Sequence, residues 1–101
     1  MELTVGMRLR SQVCATEVVV VRPGGTAGEL TCGGSPLVAI DSAPAEGRQP
    51  ESGLDGGTQI GKRYTDGGDL ELLVTKSGAG TLGIGHTPLE LKGARPLPSS
   101  D

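Results

Sequence analysis

Aromatic side chains are almost missing from this sequence. Tyr64 is the single one, with no Phe and no Trp. A core must therefore come from aliphatic residues, and the runs Val18–Val21 and Leu70–Val74 are where it would lie. The same scarcity removes the stacking platforms that single-stranded nucleic acids use. Positive charge is short as well: the formal net charge is −3, whereas a nucleic-acid binder carries a basic footprint. The longest aliphatic stretch is four valines, against the ~20 residues needed to span a bilayer. Neither a nucleic acid nor a membrane is expected as a partner. Met1-Glu2-Leu3-Thr4 contains no basic region followed by an apolar stretch, so no secretory signal is read there and a cytoplasmic location is expected.

Chemically versatile residues are few. Histidine is limited to His86, and cysteine to Cys14 and Cys32. In a cytoplasmic chain two cysteines are more often metal-binding, catalytic or buried than disulfide-bonded. The acidic residues cluster in a connector and in turns, so no nucleophile–base–acid set can be assembled. A chain of 101 residues also has little length for a large pocket. An enzyme is not expected.

Glycine, by contrast, is abundant. With 18 glycines and 7 prolines, about a quarter of the chain is Gly or Pro, a level near which disorder competes with folding. Many of the glycines fall between β-branched runs, where turns would lie. Aligning Val5–Val38 with Ile60–Leu91 shows why. Gly6, Arg8, Glu17, Val20, Gly24, Ala27, Gly28, Leu30, Gly33, Pro36 and Leu37 recur as Gly61, Arg63, Glu71, Val74, Gly78, Ala79, Gly80, Leu82, Gly85, Pro88 and Leu89. These eleven identities over 32 residues need two short gaps, and chance would give roughly three, so the chain reads as a duplication.

Each copy predicts the same succession. A short strand (Met7–Arg10; Lys62–Thr65) precedes a longer one (Glu17–Arg22; Leu70–Lys76). A Gly-rich turn, a third strand (Glu29–Cys32; Thr81–Ile84), a second glycine turn and a Pro-Leu step into a last short strand follow. No segment has helical periodicity with caps. Pro36 and Pro88 are placed at strand starts on a sheet edge. The expected organisation is a first β unit over 1–38, a flexible linker over 39–59, a second β unit without cysteines over 60–91, and an extended tail over 92–101.

Two further features have plain readings. Gly78-Ala79-Gly80-Thr81-Leu82-Gly83 matches G-x-G-x-x-G, but Ile84-Gly85-His86-Thr87-Pro88 cannot open the helix that a dinucleotide site needs, so the string is read as a turn. Arg8, Arg10, Lys62 and Arg63 form a basic stripe on the two first strands, read as a solvated face; a carboxylate or phosphate contact on a partner is the alternative.

The segment Gly6–Val38 resembles desulforedoxin and the N-terminal domain of desulfoferrodoxin. The carriers are Gly6, the turn Ser11-Gln12-Val13-Cys14, the strand Val18–Val21, Gly24-Gly25, Thr31-Cys32-Gly33 and the closing Pro36-Leu37-Val38. The resemblance implies an all-β fold of two desulforedoxin-like β-hairpin units packed as an intrachain pseudo-dimer. It also implies an iron site of four cysteine thiolates. Here Ser11 and Thr31 stand at two of those positions and only Cys14 and Cys32 remain, while the second copy aligns Asp66, Gly68 or Asp69, Gly83 and Ile84 with them. Hydroxyls are poor substitutes for thiolates.

Three readings of Cys14 and Cys32 stay open at this point: buried thiols of a relic site, two ligands of iron or zinc completed by another chain or by water, and a disulfide or redox-switchable pair. The first leads, so no cofactor is expected. The functional expectation is a non-catalytic accessory protein that binds a larger protein or enzyme subunit, with homo-oligomers open. A metal-binding or thiol-redox electron-transfer module is the alternative.

Overall fold

The computed structural model describes residues 3–24, 28–42 and 49–92. Every regular element among them is a strand: β1 (Arg8–Arg10), β2 (Glu17–Pro23), β3 (Leu30–Cys32), β4 (Ser35–Pro36), β5 (Val38–Ala39), β6 (Arg63–Thr65), β7 (Leu70–Lys76), β8 (Leu82–Ile84), β9 (Thr87–Pro88) and β10 (Glu90–Leu91). The fold is all-β, and among the described residues no helix is long and apolar enough to cross a membrane.

Two antiparallel sheets result. One has six strands in the order β10-β6-β7-β2-β1-β5, the other four in the order β4-β3-β8-β9. Both orders are balanced about a central pair drawn from the two repeats, β2 with β7 and β3 with β8. The register obeys the same exchange. Val18 faces Val74 and Val20 faces Leu72, while Glu17 faces Lys76 and Arg22 faces Glu71. Leu30 faces Ile84 and Cys32 faces Leu82, with Thr31 opposite Gly83 at the centre. Hydrogen bonds outside the ladders follow suit. Gly6 N donates to Val20 O as Gly61 N does to Val74 O, and Leu37 N donates to Leu30 O as Leu89 N does to Leu82 O. Gly33 N reaches Thr81 O in one direction, and Gly85 N reaches Glu29 O in the other.

Local chemistry explains the elements. β2 alternates Val18 and Val20, buried, with Val19 and Val21, half-buried, the period-2 signature of a strand with one face on the core. The β3–β4 hairpin turns through Gly33 and Gly34, whose φ values of 65° and 88° are those of the two-residue turn that matches strand twist. The Pro-Leu step differs from expectation. Pro36 and Pro88 end β4 and β9 rather than opening a strand, and both of these strands lie at sheet edges, where a missing N–H costs no ladder bond. Leu37 and Leu89 are buried at the crossing to β5 and β10, which belong to the other sheet.

The core joins both sheets and both repeats: Leu9, Val18, Val20, Leu30, Cys32, Leu37, Tyr64, Leu70, Leu72, Val74, Leu82 and Leu89 form one buried cluster. Neither repeat alone supplies a closed core, as expected for units of some 35 residues. The connector expected over 39–59 includes β5 at its start, residues 43–48 outside the description, and a segment that ties the repeats together. In that segment Glu51 N donates to Gly33 O, Thr58 N to Gly78 O, and Thr81 N to Leu54 O. Of the tail expected over 92–101, all but Lys92 lies outside the described residues.

Candidate functional site

The site is the meeting point of the Ser11–Thr16 loop, the end of β3 and the turn before β8. Ser11 N donates to Thr16 O at 2.9 Å and closes the loop. Ser11 Oγ then accepts from Val13 N (3.0 Å) and Cys14 N (3.2 Å). With both lone pairs occupied, the Ser11 hydroxyl has only its proton left to give, and Cys14 Sγ lies 3.3 Å away. Thr16 Oγ1 approaches the same sulfur at 3.2 Å, and Gly80 N, from the second repeat, donates to it at 3.3 Å. Cys32 Sγ, fully buried, is 3.7 Å from Cys14 Sγ.

Once Cys14 is ionised, the two hydroxyls, the Cys32 thiol and Gly80 N–H are four donors to one half-buried sulfur. Hydrogen bonds to the charged form favour it. The Cys32 thiol, followed by the Ser11 and Thr16 hydroxyls, holds Cys14 down at about 4 against the opposing effect of burial. Cys32 moves up, because it keeps the proton it shares with Cys14 and lies away from water. The pair carries one proton and one negative charge at neutral pH, with the charge on the sulfur nearer solvent.

Behind the sulfurs lie further hydrogen bonds that sequence reading did not anticipate. Thr58, in the connector, shares a hydrogen bond of 3.0 Å with Thr16. It also accepts from Gly78 N at 3.0 Å, which leaves its own proton free for Thr16. Gly80 closes the top: a Cβ there would lie 2.8 Å from Cys32 Sγ and 3.3 Å from Cys14 Sγ. Its repeat partner Gly28 does the reverse, since a Cβ at Gly28 would lie 2.7 Å from Ile84 Cγ2, and Ile84 occupies the place of Cys32 in the second repeat. Each repeat lays a glycine over the other's site. The only signal for this in the sequence was the identity of Gly28 and Gly80.

The two cysteines come together; the two hydroxyl residues aligned with the expected ligand positions divide. Ser11 joins Cys14, but Thr31 turns away and donates to Gly85 O at 2.7 Å. A separation of 3.7 Å matches the roughly 3.8 Å between two thiolates on one tetrahedral metal. The remaining donor set does not fit iron or zinc, however. It offers only hydroxyls beside the two sulfurs, Ser11 with both lone pairs engaged and Thr16, which are poor substitutes for thiolates, and among the described residues no three His, Cys, Asp or Glu gather. His86 pairs with exposed Glu51 at 3.1 Å rather than with the sulfurs. In the second repeat Asp66, Ile84, Thr87 and Glu90 line a cavity of about 120 Å³. Of the basic stripe, Arg63 pairs with Glu71 at 2.8 Å. No protein-family model, no curated protein and no solved structure matches this chain.

Proposed function

We propose that this chain is a non-catalytic accessory protein in which a duplicated, desulforedoxin-like scaffold, packed as an intrachain pseudo-dimer, carries a redox-active thiol pair in place of a four-thiolate iron site. The observation that carries the redox reading is the 3.7 Å approach of Cys14 Sγ to Cys32 Sγ, with Cys14 poised as the thiolate. Closing that gap to the ~2.05 Å of a disulfide is a small movement. The balanced change is Cys14 thiolate plus Cys32 thiol giving a disulfide, one proton and two electrons, which pass to a disulfide or peroxide oxidant. The bond would close a loop across 18 positions and stabilise the fold by ~3 kcal/mol.

The mirrored strand orders and the exchangeable register support the pseudo-dimer reading. Edge strands β4, β5, β9 and β10 offer backbone groups to a larger partner protein. A thiol count on the native protein, before and after reduction, tests the redox reading together with metal analysis. Two thiols per chain reduced and none oxidised is the expected result. Stoichiometric iron or zinc on the purified protein, lost in Cys14→Ser, would replace this reading with a metal centre completed by outside ligands.

A further inference from the structure

We infer that Cys14 is the point at which a small hydroperoxide oxidises this protein, with Cys32 as the thiol that resolves the product. The inference rests on the redox reading above and assigns it an oxidant and an order of events.

The asymmetry of the pair sets the order. Cys32 is 0% exposed, and Cys14 is only partly covered, so an oxidant arriving from solvent meets Cys14 first. The donors are asymmetric too. Ser11 Oγ, Thr16 Oγ1 and Gly80 N all surround Cys14 Sγ, within 3.3 Å. They stabilise a thiolate there, and the thiolate is the nucleophile.

Crowding selects the oxidant. Ser11 Oγ, Thr16 Oγ1 and Gly80 N within 3.3 Å, and Cys32 Sγ at 3.7 Å, already take up part of the space around the half-exposed sulfur. A hydroperoxide presents one terminal oxygen to it. A peptide disulfide must align both of its sulfurs with Cys14 Sγ, which asks for more room beside these neighbours.

The chemistry balances. The Cys14 thiolate attacks the terminal oxygen of R–O–O–H, the O–O bond breaks, and the alkoxide leaves and takes a proton from water. Cys14 becomes a sulfenic acid. Cys32, 3.7 Å away, then attacks Cys14 Sγ; its thiol proton goes to the departing hydroxide, and water leaves as the disulfide forms. The Thr58–Thr16 hydrogen bond keeps the Thr16 hydroxyl oriented on the sulfur through the first step.

The test compares hydrogen peroxide and glutathione disulfide on the reduced, full-length chain. Peroxide is expected to remove both thiols together, with a mass loss of about 2 Da, and faster than glutathione disulfide at equal concentration. In Cys32→Ser a dimedone adduct is expected on Cys14. In Cys14→Ser peroxide reactivity is expected to fall at least ~30-fold, the ratio between a full thiolate and an ordinary thiol at neutral pH. Thr16→Val keeps the side-chain shape and removes one donor, and a several-fold slower reaction is expected with two thiols still titratable. A Cys32 adduct in Cys14→Ser at the wild-type rate would overturn the assignment. Faster closure by glutathione disulfide would overturn it while leaving the redox pair intact, and closure by neither oxidant would overturn both.

Discussion

Gly80 is the residue on which the site depends most closely, because its missing side chain is the space the two sulfurs use. Gly80→Ala would set a methyl group 2.8 Å from Cys32 Sγ, an overpacking expected to cost ~1–3 kcal/mol in chemical denaturation and to lower the yield of disulfide. The thiols also set a pH dependence. Unfolded thiols titrate near 8.5, whereas folded Cys14 is held at about 4. Between these values the unfolded chain binds the extra proton, so stability rises with pH. Above about 8.5 the sign reverses, because buried Cys32 keeps a proton that the unfolded chain gives up. Denaturation midpoints of the reduced chain should therefore peak near pH 8.5, and Cys14→Ser should flatten the rise. Cys14 and Cys32 could be singled out from the sequence as a pair. That Thr31 faces away and Thr16 faces in could not, because both facts depend on which strand faces which.

At the scale of elements, the connector and β7 carry the features that patterning concealed. The Pro- and Gly-rich composition of 39–59 says nothing of Thr58, yet its hydroxyl links Gly78 to Thr16 across three segments. Thr58→Ala leaves Gly78 N–H without its acceptor and Thr16 Oγ1 without its donor and should cost ~1–3 kcal/mol, with Cys14 alkylation slowed at pH 5. β7 was legible as a strand from end to end, but the burial of Glu71 within it was not. In the fold its side chain is 3% exposed and is held by Lys92 and Arg63. Lys92, through its hydrogen bond, and then Arg63 keep the Glu71 carboxyl below the usual range. Its contribution is present above the unfolded value of about 4.3 and is lost as pH falls. Glu71→Gln should lower the thermal midpoint at pH 7 by several degrees and shrink the loss on going to pH 4. The division of β4 and β5 between two sheets was equally hidden, since two-residue strands have no period to read.

For the molecule as a whole, the repeat was the most legible feature, and it located the turns, the long strands and the equivalence of Gly28 with Gly80. What it could not fix was how the copies meet. Pairing of like strands is a tertiary choice made by a common core, and neither copy buries Leu72, Val20, Leu30 and Leu82 without the other. Peptides 1–58 and 59–101 should each lack a β signature in circular dichroism and recover it on mixing. A half that folds alone would show that its core is self-sufficient.

The pairing of β2 with β7 and of β3 with β8 inside one polypeptide has a consequence for how the protein responds to dilution. Two separate subunits joined by such sheets would fall apart at low concentration, and their melting temperature would follow their abundance. Here the connector fixes the local concentration of each half around the other at roughly millimolar. Assembly becomes a unimolecular property, insensitive to expression level. Each molecule also holds a single Cys14–Cys32 pair, where a symmetric homodimer would hold two, so under the proposed redox reading it would store one two-electron equivalent at any abundance.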